Sequence, residues 1–216
     1  MSEPVASEPV VSEPLARSPI RPPDPILVLG GWEVSGRRAG GPLTLTDCTP
    51  LTKVLVRAPW AGPAAAELVV PFGRARRDAA GVLVVGSGPG EWLLIAPPGL
   101  ARDVRARLDD LTGREPVSVT DLTHGRALVR LTGQRAADVL SALCGIDLSD
   151  RVTPDGAAFR SSVAAIATDV IRDDIAGVRS YLLHCERSSG QYLFDALLSA
   201  GRDLGIEIDG FVAPGI

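Results

Sequence analysis

Two matched pairs of strand-like segments constrain this chain more than any other feature. Residues Lys53–Arg57 resemble Arg126–Arg130, and residues Glu91–Ile95 resemble Ser180–His184. Each segment is mainly apolar, as a strand buried on one or both faces is, and each is followed by a turn and a stretch with helical spacing. The chain is therefore expected to be internally duplicated, with a first half at residues 43–115 and a second at 116–212.

The hydrophobic pattern predicts an α+β fold built from two related antiparallel sheet-plus-helix (ferredoxin-like) halves. Strands are predicted at Lys53–Arg57, Val82–Gly86, Glu91–Ala96, Val117–Asp121, Ala127–Leu131, Ala158–Val170 and Val178–Cys185. Helices are predicted at Pro63–Val70, Leu100–Leu111, Gln134–Leu143 and Ser189–Ala200. Many links between strands are too short for a helical crossover, so antiparallel pairing should dominate.

Three local signals predict where these helices begin and end. Gly113 follows the second helix and is expected to stop it. Thr132 is expected to cap the third helix, and Ser188 with Gln191 to form a capping box at the start of the fourth.

The first 42 residues differ from the rest in composition. Residues 2–15 repeat the pattern Ser-Glu-Pro three times, and further proline- and glycine-rich sequence follows. Such sequence buries little apolar surface, so residues 1–42 are predicted to be a disordered tail. Ile26–Trp32 is the one part apolar enough to dock on a partner.

Composition and charge exclude several classes of protein. Hydrophobic residues make up 45% and charged residues 22%, as in soluble globular proteins, and the net charge of −4 argues against nucleic acid as a partner. The three cysteines have no paired spacing, which predicts a reducing, cytoplasmic environment without disulfides. The apolar run Ile26–Gly31 is too short to span a membrane.

No motif predicts a catalytic, cofactor-binding or metal-binding residue. The glycines at 86–90 lack the spacing and the following helix of a phosphate-binding loop. The two histidines, His124 and His184, have no metal-ligand spacing. Cys185 follows His184 directly, and neighbouring strand residues point to opposite faces, so the two cannot readily act as nucleophile and base.

A few polar and aromatic residues remain open to two interpretations. Asp121–Gly125 is either a turn, in which Gly125 adopts a positive φ, or the edge of a ligand pocket or subunit contact. The pair at 173–174 is expected to be a solvated hairpin tip. Trp92 is expected in the core, whereas Trp60 and Trp32 are candidates for partner contacts.

Several motifs resemble a known family. Gly88–Leu94 is similar to a Gly-Pro-Asp-Glu-Trp-Leu-Leu motif, Asp121–Arg126 leads into Leu131–Gly133, and Glu186–Ser189 opens the last helix. In this order they resemble the gamma subunit of heterotetrameric sarcosine oxidase, a relative of the folate-binding aminomethyltransferase domain. The likeness covers most of residues 43–212.

The resemblance implies a non-catalytic subunit of a complex that oxidatively demethylates sarcosine to glycine and passes the one-carbon unit to tetrahydrofolate. It implies that FAD, FMN, NAD and tetrahydrofolate are held by the partner subunits. A free-standing folate-dependent aminomethyltransferase remains an alternative, for which Asp121 and Glu91 are the candidate carboxylates; a ligand-binding module unrelated to this family is a third interpretation.

Overall fold

Two large sheets, one small sheet and four helices make up the described part of the chain. The computed structural model describes residues 14–112 and 116–213. The strands are β1 (Ala16–Arg17), β2 (Ile26–Leu29), β3 (Trp32–Ser35), β4 (Leu43–Asp47), β5 (Thr52–Arg57), β6 (Ala75–Arg77), β7 (Leu83–Gly88), β8 (Glu91–Ala96), β9 (Ser118–Asp121), β10 (Arg126–Gly133), β11 (Ala158–Val163), β12 (Ile166–Arg172), β13 (Ser180–Glu186) and β14 (Glu207–Asp209). The helices are α1 (Pro63–Leu68), α2 (Ala101–Thr112), α3 (Ala136–Ser141) and α4 (Gly190–Gly201), and 3-10 turns flank α4 at Arg187–Ser189 and Arg202–Leu204.

The strands are ordered β6-β7-β8-β5-β9 in a five-stranded sheet, β11-β12-β13-β10-β4-β14 in a six-stranded sheet and β1-β3-β2 in a three-stranded sheet. Within the described residues, every pairing is antiparallel except β1 with β3 and β4 with β14. The predicted mixture of helices and mainly antiparallel strands is therefore confirmed.

The two large sheets lie face to face between two layers of helices. Along β10, Ala127, Val129 and Leu131 pack into the core shared with α3 and α4, while Leu128 packs into the core between the sheets. Side chains on β8 alternate in the same way between α1 and α2 on one face and the six-stranded sheet on the other. Burial of each large aliphatic side chain stabilises such a fold by about 2 kcal/mol. The layer between the sheets, here called the inter-sheet layer, holds the polar clusters described below.

Each large sheet takes one strand from the other part of the chain. β4 precedes β5 in the chain but pairs with β10 in the six-stranded sheet. β9 precedes β10 but pairs with β5 in the five-stranded sheet. The predicted boundary between residues 115 and 116 therefore does not separate the two sheets, because a sequence pattern shows strands but not their partners.

Most predicted elements are present, with one strand divided. The segment predicted as a strand at Ala158–Val170 is a hairpin of β11 and β12, which turns at Ala164 and Ala165. Both alanines have positive φ (49° and 65°), an unusual conformation for residues other than glycine. The turn contains neither glycine nor proline, so the sequence shows no break between the two strands.

The predicted helix caps are wrong. The residue that caps α3 is Arg135, and no side chain caps the helix, so Thr132 has no such role. The residue at the start of α4 is Ser189, again without a side-chain cap, because a 3-10 turn leads directly into the helix. Gln191 instead accepts a hydrogen bond from the backbone N–H of Arg21. Gly113 lies outside the described residues.

Residues 14–42 are folded and contain β1, β2 and β3, so the prediction of a disordered tail over residues 1–42 is wrong for this part. Ile20 is 1% exposed and packs with α4, and Trp32 packs into the inter-sheet layer. Prolines exclude a helix here but allow short edge strands, so a few apolar anchors are enough to fix an extended segment. Residues 2–13, which carry most of the Ser-Glu-Pro repeats, lie outside the described part.

Among the described residues, no helix combines the length and apolarity that a bilayer crossing requires.

Candidate functional site

A polar cleft of about 260 Å³ opens at one end of the inter-sheet layer, where β5 ends and β8 and β10 begin. The alternation of strand side chains places Arg57 and Glu91 there from the five-stranded sheet. The six-stranded sheet contributes further polar side chains: Arg126, Arg160, Asp169, His184 and Glu186. Leu55 and Leu93 form part of the apolar wall.

An aspartate–histidine pair lies in the cleft wall. Asp169 on β12 is directly opposite His184 on β13, and Nδ1 of His184 lies 3.1 Å from an Asp169 carboxylate oxygen. Burial lowers the pKa of His184 below its usual value, although Asp169 acts in the opposite direction. Burial alone would raise the pKa of Asp169, but hydrogen bonds from His184 and Arg160 lower it overall. The pair is therefore a neutral imidazole beside a carboxylate at neutral pH.

Arg160 connects the two large sheets across the cleft. Its guanidinium donates to both carboxylate oxygens of Asp169, at 2.5 and 3.2 Å, and reaches Glu91 at 3.4 Å. Glu91 also accepts a hydrogen bond of 2.9 Å from Arg57. Burial would raise the pKa of Glu91, but Arg57 and Arg160 lower it overall. The two carboxylates are thus held ionised by guanidinium groups.

A second polar cluster lies farther along the inter-sheet layer and is closed. Asp173 accepts hydrogen bonds from Arg77 of the five-stranded sheet at 2.7 Å and from Arg130 of the six-stranded sheet at 2.9 Å. The prediction of a solvated tip at Asp173 and Asp174 is therefore wrong for Asp173, which is buried. The turn lies beyond these residues, between Ile175 and Val178, and the second aspartate pairs with Arg172.

A buried lysine lies in the same layer. The ammonium of Lys53 donates to the backbone carbonyls of Thr49 and Leu51 at 2.7 and 2.8 Å. Burial lowers its pKa to about 7, against the attraction of Asp47. Lys53 is fully enclosed and therefore has no access to a substrate.

The turn at Asp121–Gly125 has structural roles. A carboxylate oxygen of Asp121 accepts the N–H of Thr123, whose hydroxyl in turn accepts the N–H of Lys53. The His124 ring stacks on Trp32 with centroids 4.8 Å apart and planes at 6°. Gly125 is not among the residues with positive φ, so that detail of the prediction is wrong, and the turn closes through its N–H to the carbonyl of Leu122.

The aromatic residues divide between core and surface. Trp92 is buried as predicted and donates from Nε1 to the Val70 carbonyl at 2.8 Å. Trp32 was expected in a partner contact, but it is buried because the N-terminal segment is folded. Trp60 is 76% exposed.

Trp60 lies on an apolar groove of about 590 Å³ beside α1, here called the Trp60 groove. Phe72 and Val69 in its wall are also exposed. Val69 follows α1 with φ 52°, a rare conformation for a β-branched residue. Gly90 shapes the facing hairpin tip, since a Cβ atom there would lie 2.3 Å from the Ala58 carbonyl oxygen.

The cysteines do not form a reactive site. Cys48, Cys144 and Cys185 are all free and buried. Burial raises the pKa of the Cys48 and Cys185 thiols to about 11, which disfavours the thiolate. Cys185 packs under α4 while His184 lines the cleft, as strand alternation predicts. No group of three or more potential metal ligands occurs within the described ranges.

Sequence reasoning missed most of the cleft. It named Glu91 and His184 singly, and the structure does not bring Asp121 and Glu91 together in it. Arg160 and Asp169 were missed altogether, because they lie on β11 and β12 respectively, and these two strands were predicted as one. A usable signal was the position of His184 inside a run of buried apolar residues, where a polar side chain needs a partner.

Comparisons with known proteins place this fold in a family. The model of the GCVT N-terminal domain matches residues 73–214, so the chain belongs to the GCVT N-terminal domain family. The sarcosine oxidase subunit gamma of Corynebacterium sp. (strain U-96) is 32% identical over 144 residues, covering 62% of this chain and 67% of that protein. The resemblance to sarcosine oxidase gamma subunits is thereby confirmed.

Two further matches show how much of each related protein this chain covers. A chain of the heterotetrameric sarcosine oxidase from Corynebacterium sp. U-96, in complex with pyrrole 2-carboxylate, superposes with a TM-score of 0.64 at 28% identity, covering 77% of this chain and 87% of that one. Human mitochondrial dimethylglycine dehydrogenase is 29% identical over 148 residues, which is 68% of this chain but 17% of that protein. The chain therefore spans about a sixth of that enzyme's length.

Proposed function

We propose that this chain is a non-catalytic subunit of a sarcosine oxidase complex, which demethylates sarcosine to glycine and passes the one-carbon unit to tetrahydrofolate. The observation that carries the proposal is the match to a chain of heterotetrameric sarcosine oxidase along 87% of that chain's length. A protein that matches one subunit over most of its length is expected to occupy the same place in an assembly.

The residues of the chain support a role without its own chemistry. The Asp169 and Glu91 carboxylates of the cleft are both neutralised by arginine, and the Cys48 and Cys185 thiols are held protonated. The link from β8 into α2 carries two prolines rather than a glycine-rich phosphate loop. We therefore assign FAD, FMN, NAD and tetrahydrofolate to the partner subunits. We assign the chain to the cytoplasm because its three cysteines are free, as in a reducing compartment.

The Trp60 groove is the surface that we assign to a partner subunit. Exposed tryptophan and phenylalanine side chains beside a groove are typical of the anchor residues of protein interfaces. The strained backbone at Val69 keeps an apolar side chain on this surface, at a cost of about 1–3 kcal/mol for such a conformation. Both features are explained if a partner covers the groove.

We also propose that the two parts of the chain arose by duplication of a ferredoxin-like unit. β5 and β10 are each the fourth strand from the edge of their sheets, counted from β6 and from β11. β8 and β13 are each the third, and a helix follows each of these four strands. Equal positions of the matched segments support the duplication that their sequences suggest.

A free-standing folate-dependent transferase is less well supported. Asp121 is exposed at the end of β9 and does not line the cleft with Glu91. The cleft, at about 260 Å³, is smaller than the roughly 300–1,000 Å³ of pockets that hold drug-sized ligands such as a folate.

Co-expression with the other subunits of the complex tests the proposal. The native assembly should carry flavin and should contain this chain, as measured by native mass spectrometry and visible absorption. The double variant W60S/F72S should lose most of the assembly, whereas Y192S, which removes an aromatic residue of α4 that is 58% exposed, should assemble normally. A chain that purifies alone and binds tetrahydrofolate would overturn the subunit role, and normal assembly of W60S/F72S would exclude the Trp60 groove as the interface.

A further inference from the structure

The cleft contains one buried nitrogen that the fold leaves without a partner. His184 is 4% exposed, and its Nε2 atom has no hydrogen-bond partner among the described residues. Buried polar atoms of a native protein are nearly always paired, so an unpaired atom on a side chain that lines a cavity points to a group that occupies the cavity.

The neighbouring contact fixes what this nitrogen can bind. Nδ1 of His184 faces the ionised carboxylate of Asp169 and therefore carries the proton. A neutral imidazole with hydrogen on Nδ1 presents a lone pair at Nε2. The missing partner is thus a hydrogen-bond donor, such as an N–H group.

The charges of the cleft limit the ligand further. Three guanidinium groups and three carboxylates line it in alternation, joined by the pairs Arg57–Glu91, Arg160–Asp169 and Arg126–Glu186. Their charges cancel, which disfavours a polyphosphate or a divalent cation, since either needs an excess of one sign.

The arginines retain donors for an anionic group. A guanidinium has five N–H donors, and Arg57 uses only its Nε–H in the contacts that the described residues make. Arg126 contacts Glu186 through one terminal nitrogen. One small molecule with both a carboxylate and an N–H would satisfy these arginines and His184 together.

We infer that the cleft binds a small amino-acid zwitterion, whose N–H donates to Nε2 of His184 and whose carboxylate accepts from the lining arginines. The volume of about 260 Å³ admits a molecule of that size with some water. This inference goes beyond the proposed function, which assigns no ligand to the chain.

Titration of the full chain with glycine and with sarcosine tests the inference, with NMR shifts of the His184 ring and the arginine Nε–H groups as the measurement. Both zwitterions should bind saturably. Acetate, which lacks the N–H, and methylammonium, which lacks the carboxylate, should bind at least about tenfold more weakly, a difference of about 1.4 kcal/mol.

Variants locate the binding in the cleft. His184→Phe removes the acceptor and should weaken glycine binding at least about tenfold, whereas His184→Gln restores an acceptor and should recover part of it. His124→Phe is the matched control, because it changes the chain's other histidine outside the cleft and keeps the stack on Trp32. Should His184→Phe fail to fold, Arg57→Gln, at the exposed end of β5, tests the carboxylate contact instead.

Absence of saturable glycine binding, equal binding of acetate, or unchanged binding by the folded cleft variants would overturn the inference. These results are independent of assembly, since the titration uses this chain without its partners. Failure of the chain to bind glycine would therefore not contradict the subunit role. Failure of the chain to assemble would not contradict the binding site in the cleft.

Discussion

The two polar clusters of the inter-sheet layer both consist of arginine–carboxylate pairs, but the pairs differ in how far they are exposed to solvent. At one, Asp173 pairs with Arg130, and their side chains are 10% and 6% exposed. At the other, Arg57 and Arg160 reach Glu91 with side chains that are 66% and 57% exposed. On the six-stranded sheet, the apolar residues Leu128, Ile171 and Leu182 separate the two clusters.

This comparison shows that burial, rather than residue type, decides the role of an arginine–carboxylate pair. An intact buried pair adds little net stability, because desolvation offsets the attraction, but removal of one partner leaves an uncompensated charge in the interior. An exposed pair contributes little to stability. Because its charged groups are accessible to solvent, they can also bind a ligand. Loss of one partner in the closed cluster is thus costly, whereas the groups of the cleft can bind a ligand.

The largest expected effect comes from Asp173→Ala. Loss of this carboxylate leaves the Arg130 guanidinium buried without its ionic partner and should lower the free energy of unfolding by about 3–5 kcal/mol, measured by urea denaturation. Asp138→Ala, which breaks an exposed pair with Arg135 on α3, is the control and should cost less than about 1 kcal/mol. Equal losses in the two variants would remove the distinction between buried and exposed pairs.

Lys53 sharpens the comparison, because it is a buried cation that is hydrogen-bonded to backbone carbonyls rather than to a carboxylate. Its pKa is lowered to about 7 in the folded chain, so the unfolded chain holds this proton more tightly. Between pH 7 and about 10.4, the unfolding free energy of the wild type should therefore rise relative to Lys53→Met, by at most about 1.4 kcal/mol per pH unit. Parallel pH profiles of the two proteins would show that the ammonium is not desolvated.

A smaller effect is expected at His184 on acidification. Its folded pKa lies below the ordinary value because of burial, so the unfolded chain takes up the proton first as the pH falls below about 6.5. The wild type should therefore lose more stability between pH 7 and pH 5 than His184→Gln, which has no titrating ring. Thermal unfolding at both pH values measures the difference, and identical losses would contradict a desolvated imidazole.

The smallest effect is expected from Arg57→Ala. This exposed arginine should contribute less than about 1 kcal/mol to the unfolding free energy in a denaturant titration. A loss as large as that of Asp173→Ala would mean that the cleft is a structural ion-pair cluster like the closed one.

The sequence allowed prediction of those elements whose side chains repeat a clear pattern. β8 has the predicted bounds, because its apolar run starts after a glycine-rich turn and ends at a pair of prolines. The resemblance to sarcosine oxidase gamma subunits was also predicted correctly. These features depend on neighbouring residues, which a sequence shows directly.

The features that were missed depend on residues far apart in the chain. Asp173 appeared to be solvated because its partners, Arg77 and Arg130, lie 96 and 43 positions away. The order of the N-terminal segment depends on the packing of Ile20 against α4 and of Trp32 against His124. A local pattern contains no information about such contacts, and the cleft depends on them, since Arg160 reaches Glu91 from 69 positions away.

The exchange of β4 and β9 between the large sheets has a consequence for the chain during synthesis. β4 leaves the ribosome well before β10, so Leu43 and Leu45 have no strand to pair with until the second half has been made. Pairing over such a distance in sequence slows folding and prolongs the exposure of apolar strands. We therefore expect the nascent chain to depend on chaperone protection until β10 emerges, and a chain cut between the two halves to yield fragments that aggregate separately but associate when they are made together.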